Sequence, residues 1–131
     1  MSPTPTPFLM FTGDAEEAMR FYAATFPDAE IEAIERYDAG EPGPEGSVKQ
    51  ARMRIGAQAI MCIDSPPVHD FGFTPAISLF VACETEAEVD ELFERLADGG
   101  TVLMPLAAYP FSARYGWISD RFGVSWQLAL R

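Results

Sequence analysis

The feature that most constrains this chain is an internal repeat. Residues 8–26 read as a short apolar strand, a turn at Thr12 and Gly13, and a helix whose apolar face carries Ala15, Ala18, Met19, Tyr22 and Phe26. At an offset of about 71 residues the same order returns. A strand over 77–83 precedes Thr85, and Val89, Leu92, Phe93 and Leu96 form the next apolar helical face. Arg54 and Gly56 stand before the last strand of the first copy, as Arg121 and Gly123 stand before the last strand of the second. A unit of this size that cannot bury its own sheet face closes on a twin. The expected fold is therefore α+β, with two βαβββ modules forming a curled mixed sheet around a cavity. A single domain over 1–131 is expected, with module one at about 7–64, a connector at 65–75 and module two at about 76–131.

Local signals fill in the modules. Asp14 is expected to cap the first helix, with Glu16 and Glu17 favourable at its positive end. Thr85 and Glu88 have the spacing of a capping box, and Gly99 and Gly100 end that helix. In module one, strands are expected over 29–37, 48–55 and 57–63, with a Gly- and Pro-rich loop at 38–46. Strands over 101–104, 113–119 and 124–130 follow the second helix. Residues 105–111 read as a loop, because Pro105 and Pro110 resist ladder pairing.

Composition narrows the function classes. With 131 residues and 48% hydrophobic content, the chain can build one core. No apolar run reaches the ~18 residues of a membrane span. Residues 1–7 lack the basic and apolar regions of a signal peptide, so a cytoplasmic protein is expected. Cys62 and Cys83 lie in the apolar runs IMCI and FVAC and read as small buried hydrophobes. Nine basic against 20 acidic side chains give a net charge of −11, which argues against nucleic acid and anionic membrane surfaces as partners.

Three stretches carry a family resemblance: FLMFTGDAEEAMRFYAATFPDAEI, ISLFVACETEAEVDELFERLADGGTVLMPL and FSARYGWISDRFGVSWQLAL. Together they resemble the vicinal-oxygen-chelate superfamily of glyoxalase I and bleomycin-resistance proteins. Within it they resemble the PhnB-like branch, often labelled 3-demethylubiquinone 3-methyltransferase-like. The segment DRFGVSWQL at 120–128 is the most specific piece. The resemblance implies metal ligands early in the first strand and in the last strand of each module. Those positions fall at Pro7 or Phe8, at Ile60 or Met61, at Ser78 and at Gln127. Only Gln127 is a residue type the family uses for a metal, so no cofactor is expected and a divalent metal is disfavoured. The methyltransferase label finds no support in the residues, because the turn at Gly13 lacks the G-x-G pattern of a nucleotide-binding loop.

The candidate site residues follow from strand alternation and chemistry. Ser78, Phe80 and Ala82 are expected on the cavity face, with Leu79, Val81 and Cys83 toward the helix. Ser125 and Gln127 share one face, and an unpaired buried amide there would cost roughly 1–3 kcal/mol, so Gln127 needs partners. Those partners are a ligand or backbone groups. Trp117 belongs to a set of aromatic residues in the connector and second half, with Phe71, Phe73, Tyr109, Phe111, Tyr115 and Trp126, that suits core packing and dimer contact. Arg114 reads either as a solvated side chain or as a binder of an acidic ligand group. His69, the only histidine, is the candidate acid or base, with Asp70 beside it, or else a surface residue of the connector. The expectation is a metal-independent protein, a homodimer, binding a small apolar or aromatic ligand. The alternative is a lyase, isomerase or dioxygenase-type enzyme with a divergent or partner-completed site.

Overall fold

Strand β1 (Phe8–Phe11), helix α1 (Ala15–Thr25) and strands β2 (Ala29–Arg36), β3 (Val48–Ile55) and β4 (Gln58–Asp64) build the first of two units, which ends at Gly72. The computed structural model describes residues 2–131. The sheet order is β1-β4-β3-β2, with β1 and β4 parallel and the other pairs antiparallel. Period-2 alternation decides which side is core over the paired stretch, where Ile60, Cys62 and Asp64 on β4 and Ala51 and Met53 on β3 are buried; Val48, buried at the start of β3, falls outside that parity. Helix α1 buries Ala15, Ala18, Met19 and Tyr22.

The α1 cap differs from the expectation. Asp14 has φ −116° and ψ 21°, and its side chain makes no capping bond. The Gly13 and Ala15 N–H groups donate instead to Asp64 Oδ1, each at 2.9 Å, and the Val48 N–H donates to Oδ2 at 3.0 Å. A carboxylate from the end of β4 thus satisfies the helix start, and Asp14 is left partly desolvated with its own acid strength weakened by burial.

The second unit runs from Phe73 and repeats the pattern: β5 (Leu79–Cys83), α2 (Glu86–Ala97), β6 (Thr101–Tyr109), β7 (Ser112–Ser119) and β8 (Ser125–Leu130). Its order, β5-β8-β7-β6, matches that of the first unit strand for strand, and β5 and β8 are again parallel. The duplication read from the sequence is therefore a duplication of topology. Thr85 and Glu88 form the expected capping box: Thr85 Oγ1 accepts from the Glu88 N–H at 3.1 Å, and Glu88 Oε1 accepts from the Thr85 N–H at 3.2 Å. The residue pair Gly56 and Gly123 has φ of +57° and +93°, the left-handed turn that each last strand requires.

Pro105 corrects the expected loop at 105–111. It lies inside β6, an edge strand that pairs only with β7, and the register slips between Val102 and Met104 and again between Met104 and Ala107. An edge position asks for no ladder donor on the open side, and the irregular register absorbs the missing N–H. Among the described residues no helix is long and apolar enough to cross a membrane. Cys62 and Cys83 are free and buried, and burial pushes the Cys62 thiol up to about 12.

Candidate functional site

In the second unit the register gathers the candidate residues on one sheet face. Gln127 is opposite Phe80 on one side and Trp117 on the other. Paired residues point the same way, so Ser78, Phe80, Tyr115, Trp117, Ser125 and Gln127 share that face. The other face carries Cys83, Ile118, Trp126 and Leu128, all buried, and α2 packs there with the Phe93 ring against Gly116.

The turn before β8 fixes this strand. Asp120 Oδ1 accepts from the Phe122 N–H at 2.8 Å and the Val124 N–H at 3.1 Å, while Oδ2 accepts from Trp126 Nε1–H at 2.9 Å. The buried Asp120 therefore sets both the turn and the indole beneath it. That is the physical content of the DRFGVSW segment.

The site face carries two short hydrogen-bond runs. Trp117 Nε1–H donates to Ser125 Oγ at 2.8 Å, and Ser125 Oγ lies 2.7 Å from Ser78 Oγ. The Tyr115 hydroxyl donates to Gln127 Oε1 at 2.5 Å. Tyr115 is walled by aromatic rings, with Phe111 at 4.7 Å and Tyr109 at 5.4 Å in edge-to-face contact. Burial, with a smaller contribution from Tyr109, raises the Tyr115 phenol above its usual range. Phe80 and Phe111 are the exposed apolar members, at 62% and 64%. The face is thus a neutral polar strip between aromatic surfaces.

Two candidates stand elsewhere. Arg114 shares strand parity with Gly116 and Ile118, on the α2 side, and its Nε–H donates to Asp90 Oδ1 of α2 at 2.7 Å. It is neither solvated and free nor part of the site face. His69 is exposed and outside any strand, and its ring stacks on Phe71 at 4.8 Å. No hydrogen bond joins it to Asp70 among the described residues, so the partnership with Asp70 is not formed here. Tyr115 and Ser125 are the members that residue chemistry alone did not single out as ligand-binding. Both share parity with the residues that it did.

A divalent metal fits neither unit. At the implied positions of the first unit Phe8 pairs in register with Met61, an aromatic ring and a thioether. In the second, Ser78 Oγ and Gln127 Oε1 are neutral oxygens already bonded to Ser125 and Tyr115. Among the described residues no three His, Cys, Asp or Glu side chains converge.

Comparison with known proteins gives one consistent answer. A family model described as 3-demethylubiquinone-9 3-methyltransferase matches residues 3–129. The chain is similar to the PhnB protein from Bacillus cereus, with 53% identity and a TM-score of 0.94 over 98% of this chain and 100% of that one. It is 30% identical over 138 residues to the uncharacterized protein Mb0911c of Mycobacterium bovis, covering 98% of this chain and 83% of the relative. The glyoxylase/bleomycin resistance protein/dioxygenase domain from Frankia sp. EAN1pec shares 19% identity, with a TM-score of 0.70 over 99% of this chain and 98% of the other. At that identity the likeness is one of fold alone.

Proposed function

Because this chain belongs to the 3-demethylubiquinone-9 3-methyltransferase family, the PhnB-like branch of the vicinal-oxygen-chelate superfamily, we propose that it binds a small molecule on the β5-β8-β7 face without a metal. One observation carries the reading. Of the four positions where the resemblance implies metal ligands, the two in the second unit, Ser78 and Gln127, sit in neutral hydrogen-bond runs, Trp117 to Ser125 to Ser78 and Tyr115 to Gln127, beside exposed aromatic rings. A packed, hydrogen-bonded polar strip beside apolar surface suits recognition of an organic ligand. It offers no charged group and no strong Lewis base for holding a cation.

Methyl transfer is not part of this reading. The strand-to-helix turn at Gly13 is where a nucleotide-binding loop would present free N–H groups. Here the Gly13 and Ala15 N–H groups are taken by the buried Asp64 carboxylate, which also places negative charge at that spot.

Elemental analysis of protein purified without chelators tests the proposal. Divalent metal well below one equivalent per chain, unchanged in Gln127→Ala, is the expected result. One equivalent that disappears in Gln127→Ala would overturn it in favour of a metal-dependent lyase, isomerase or dioxygenase.

A further inference from the structure

We infer that the ligand of this face is an uncharged aromatic compound bearing a carbonyl-type oxygen, recognised by the Ser78 hydroxyl and the Gln127 amide nitrogen. The inference rests on the binding reading above and adds the chemical class. It begins with the direction of the protons. An indole N–H only donates, so Ser125 Oγ must accept from Trp117. Ser125 is 2% exposed, and among the described residues its own proton has one neighbour able to receive it, Ser78 Oγ at 2.7 Å. The opposite orientation would leave a buried hydroxyl proton without an acceptor. The run therefore reads Trp117 to Ser125 to Ser78, and the Ser78 proton is left over at its half-buried end.

Gln127 gives the same sign. Its Oε1 accepts from Tyr115, and its Nε2 has no protein partner among the described residues. The protons on this face left without a protein acceptor among the described residues, on Ser78 and on the Gln127 amide, both belong to neutral groups. A ligand that fits them brings acceptor oxygens. It brings no negative charge, because the nearby cation on β7, Arg114, is on the other face and paired with Asp90, and the chain carries a net charge of −11. The Phe80 ring, 62% exposed and directly opposite Gln127 in register, offers a flat apolar surface next to the donors. An aromatic ring with an attached carbonyl matches both features.

Three probes of similar size separate the possibilities: acetophenone, benzoate and ethylbenzene, each titrated into the full chain while backbone amide shifts are followed. Acetophenone should bind tightest, with shifts concentrated at residues 78–82 and 113–129. Loss of its hydrogen bonds should make ethylbenzene roughly 5-fold weaker or more. Benzoate should be on the order of tenfold weaker, for want of a counter-charge. Ser78→Ala and Gln127→Leu should each narrow the gap between ketone and hydrocarbon, and Ser78→Thr should keep it. Equal binding of acetophenone and ethylbenzene, or benzoate binding as tightly as the ketone, would overturn the ligand class and leave the binding reading standing. If none of the three shifts those amides, the binding reading itself falls. Amide spectra of the free variants report whether each is folded.

Discussion

The carboxylate of Asp64 holds the N–H of Ala15, 49 residues away in the chain, and so the last strand of the first unit caps helix α1. Three backbone N–H groups converge on that one buried side chain. Asp64→Ala should destabilise the protein by about 3 kcal/mol, since hydrogen bonds to a charged acceptor are the strong ones and their donors would be left buried. Asp14→Asn, at the position that looks like the cap, should stay within about 0.5 kcal/mol of the parent. Urea midpoints of the two variants make the comparison.

Gly116 is where α2 meets its sheet. A Cβ built there would lie 2.5 Å from two carbons of the Phe93 ring. Gly116→Ala should therefore cost about 1–3 kcal/mol through overpacking. Adding Phe93→Leu should recover part of that loss, which thermal unfolding of the single and double variants would detect.

Glu16 joins α1 to β2 through Arg36, at 2.7 Å, and also bonds Arg20. The Arg36 hydrogen bond first, and Arg20 second, lower its carboxyl from 4.5 to about 2. A lowered carboxyl stabilises the folded state above the unfolded value and ceases to do so as pH falls through the folded one. The stability gap between parent and Arg36→Gln should be full at pH 6, shrink between pH 4.5 and about 2, and shrink further in salt. Denaturant titrations across that range would show it. A gap independent of pH would contradict the assignment.

The thiols give a simpler readout. Burial, with Asp64 as a smaller contributor, pushes the Cys62 thiol up to about 12, and Cys83 is raised by the same main cause. A chromogenic disulfide reagent should leave both unmodified in native protein at pH 8 and titrate both in denaturant.

What the chain discloses in advance is periodic. Strand alternation, helical spacing, the Thr85–Glu88 box and the paired turn glycines Gly56 and Gly123 all act over a few residues, and the structure has them where the sequence implies. The partners that act over long separations were not readable. Nothing near Asp64 in the chain names Gly13, Ala15 or Val48, and Asp14 is a better local cap candidate than the residue that does the work. Pro105 misled for a related reason: whether a proline interrupts a strand depends on whether that strand is at an edge, which only the sheet order tells. For the site, parity alone separates Arg114 from Tyr115, Trp117 and Ser119. The Tyr115–Gln127 bond needs the register of β7 on β8 as well.

Ligand affinity measured with and without a chelator bears most directly on a metal-free binding face. Acetophenone titrated into the full chain should give the same Kd in EDTA as in its absence, and Gln127→Leu should weaken it by roughly 5-fold or more in both. Binding that EDTA abolishes, or that Gln127→Leu leaves unchanged, would contradict the account.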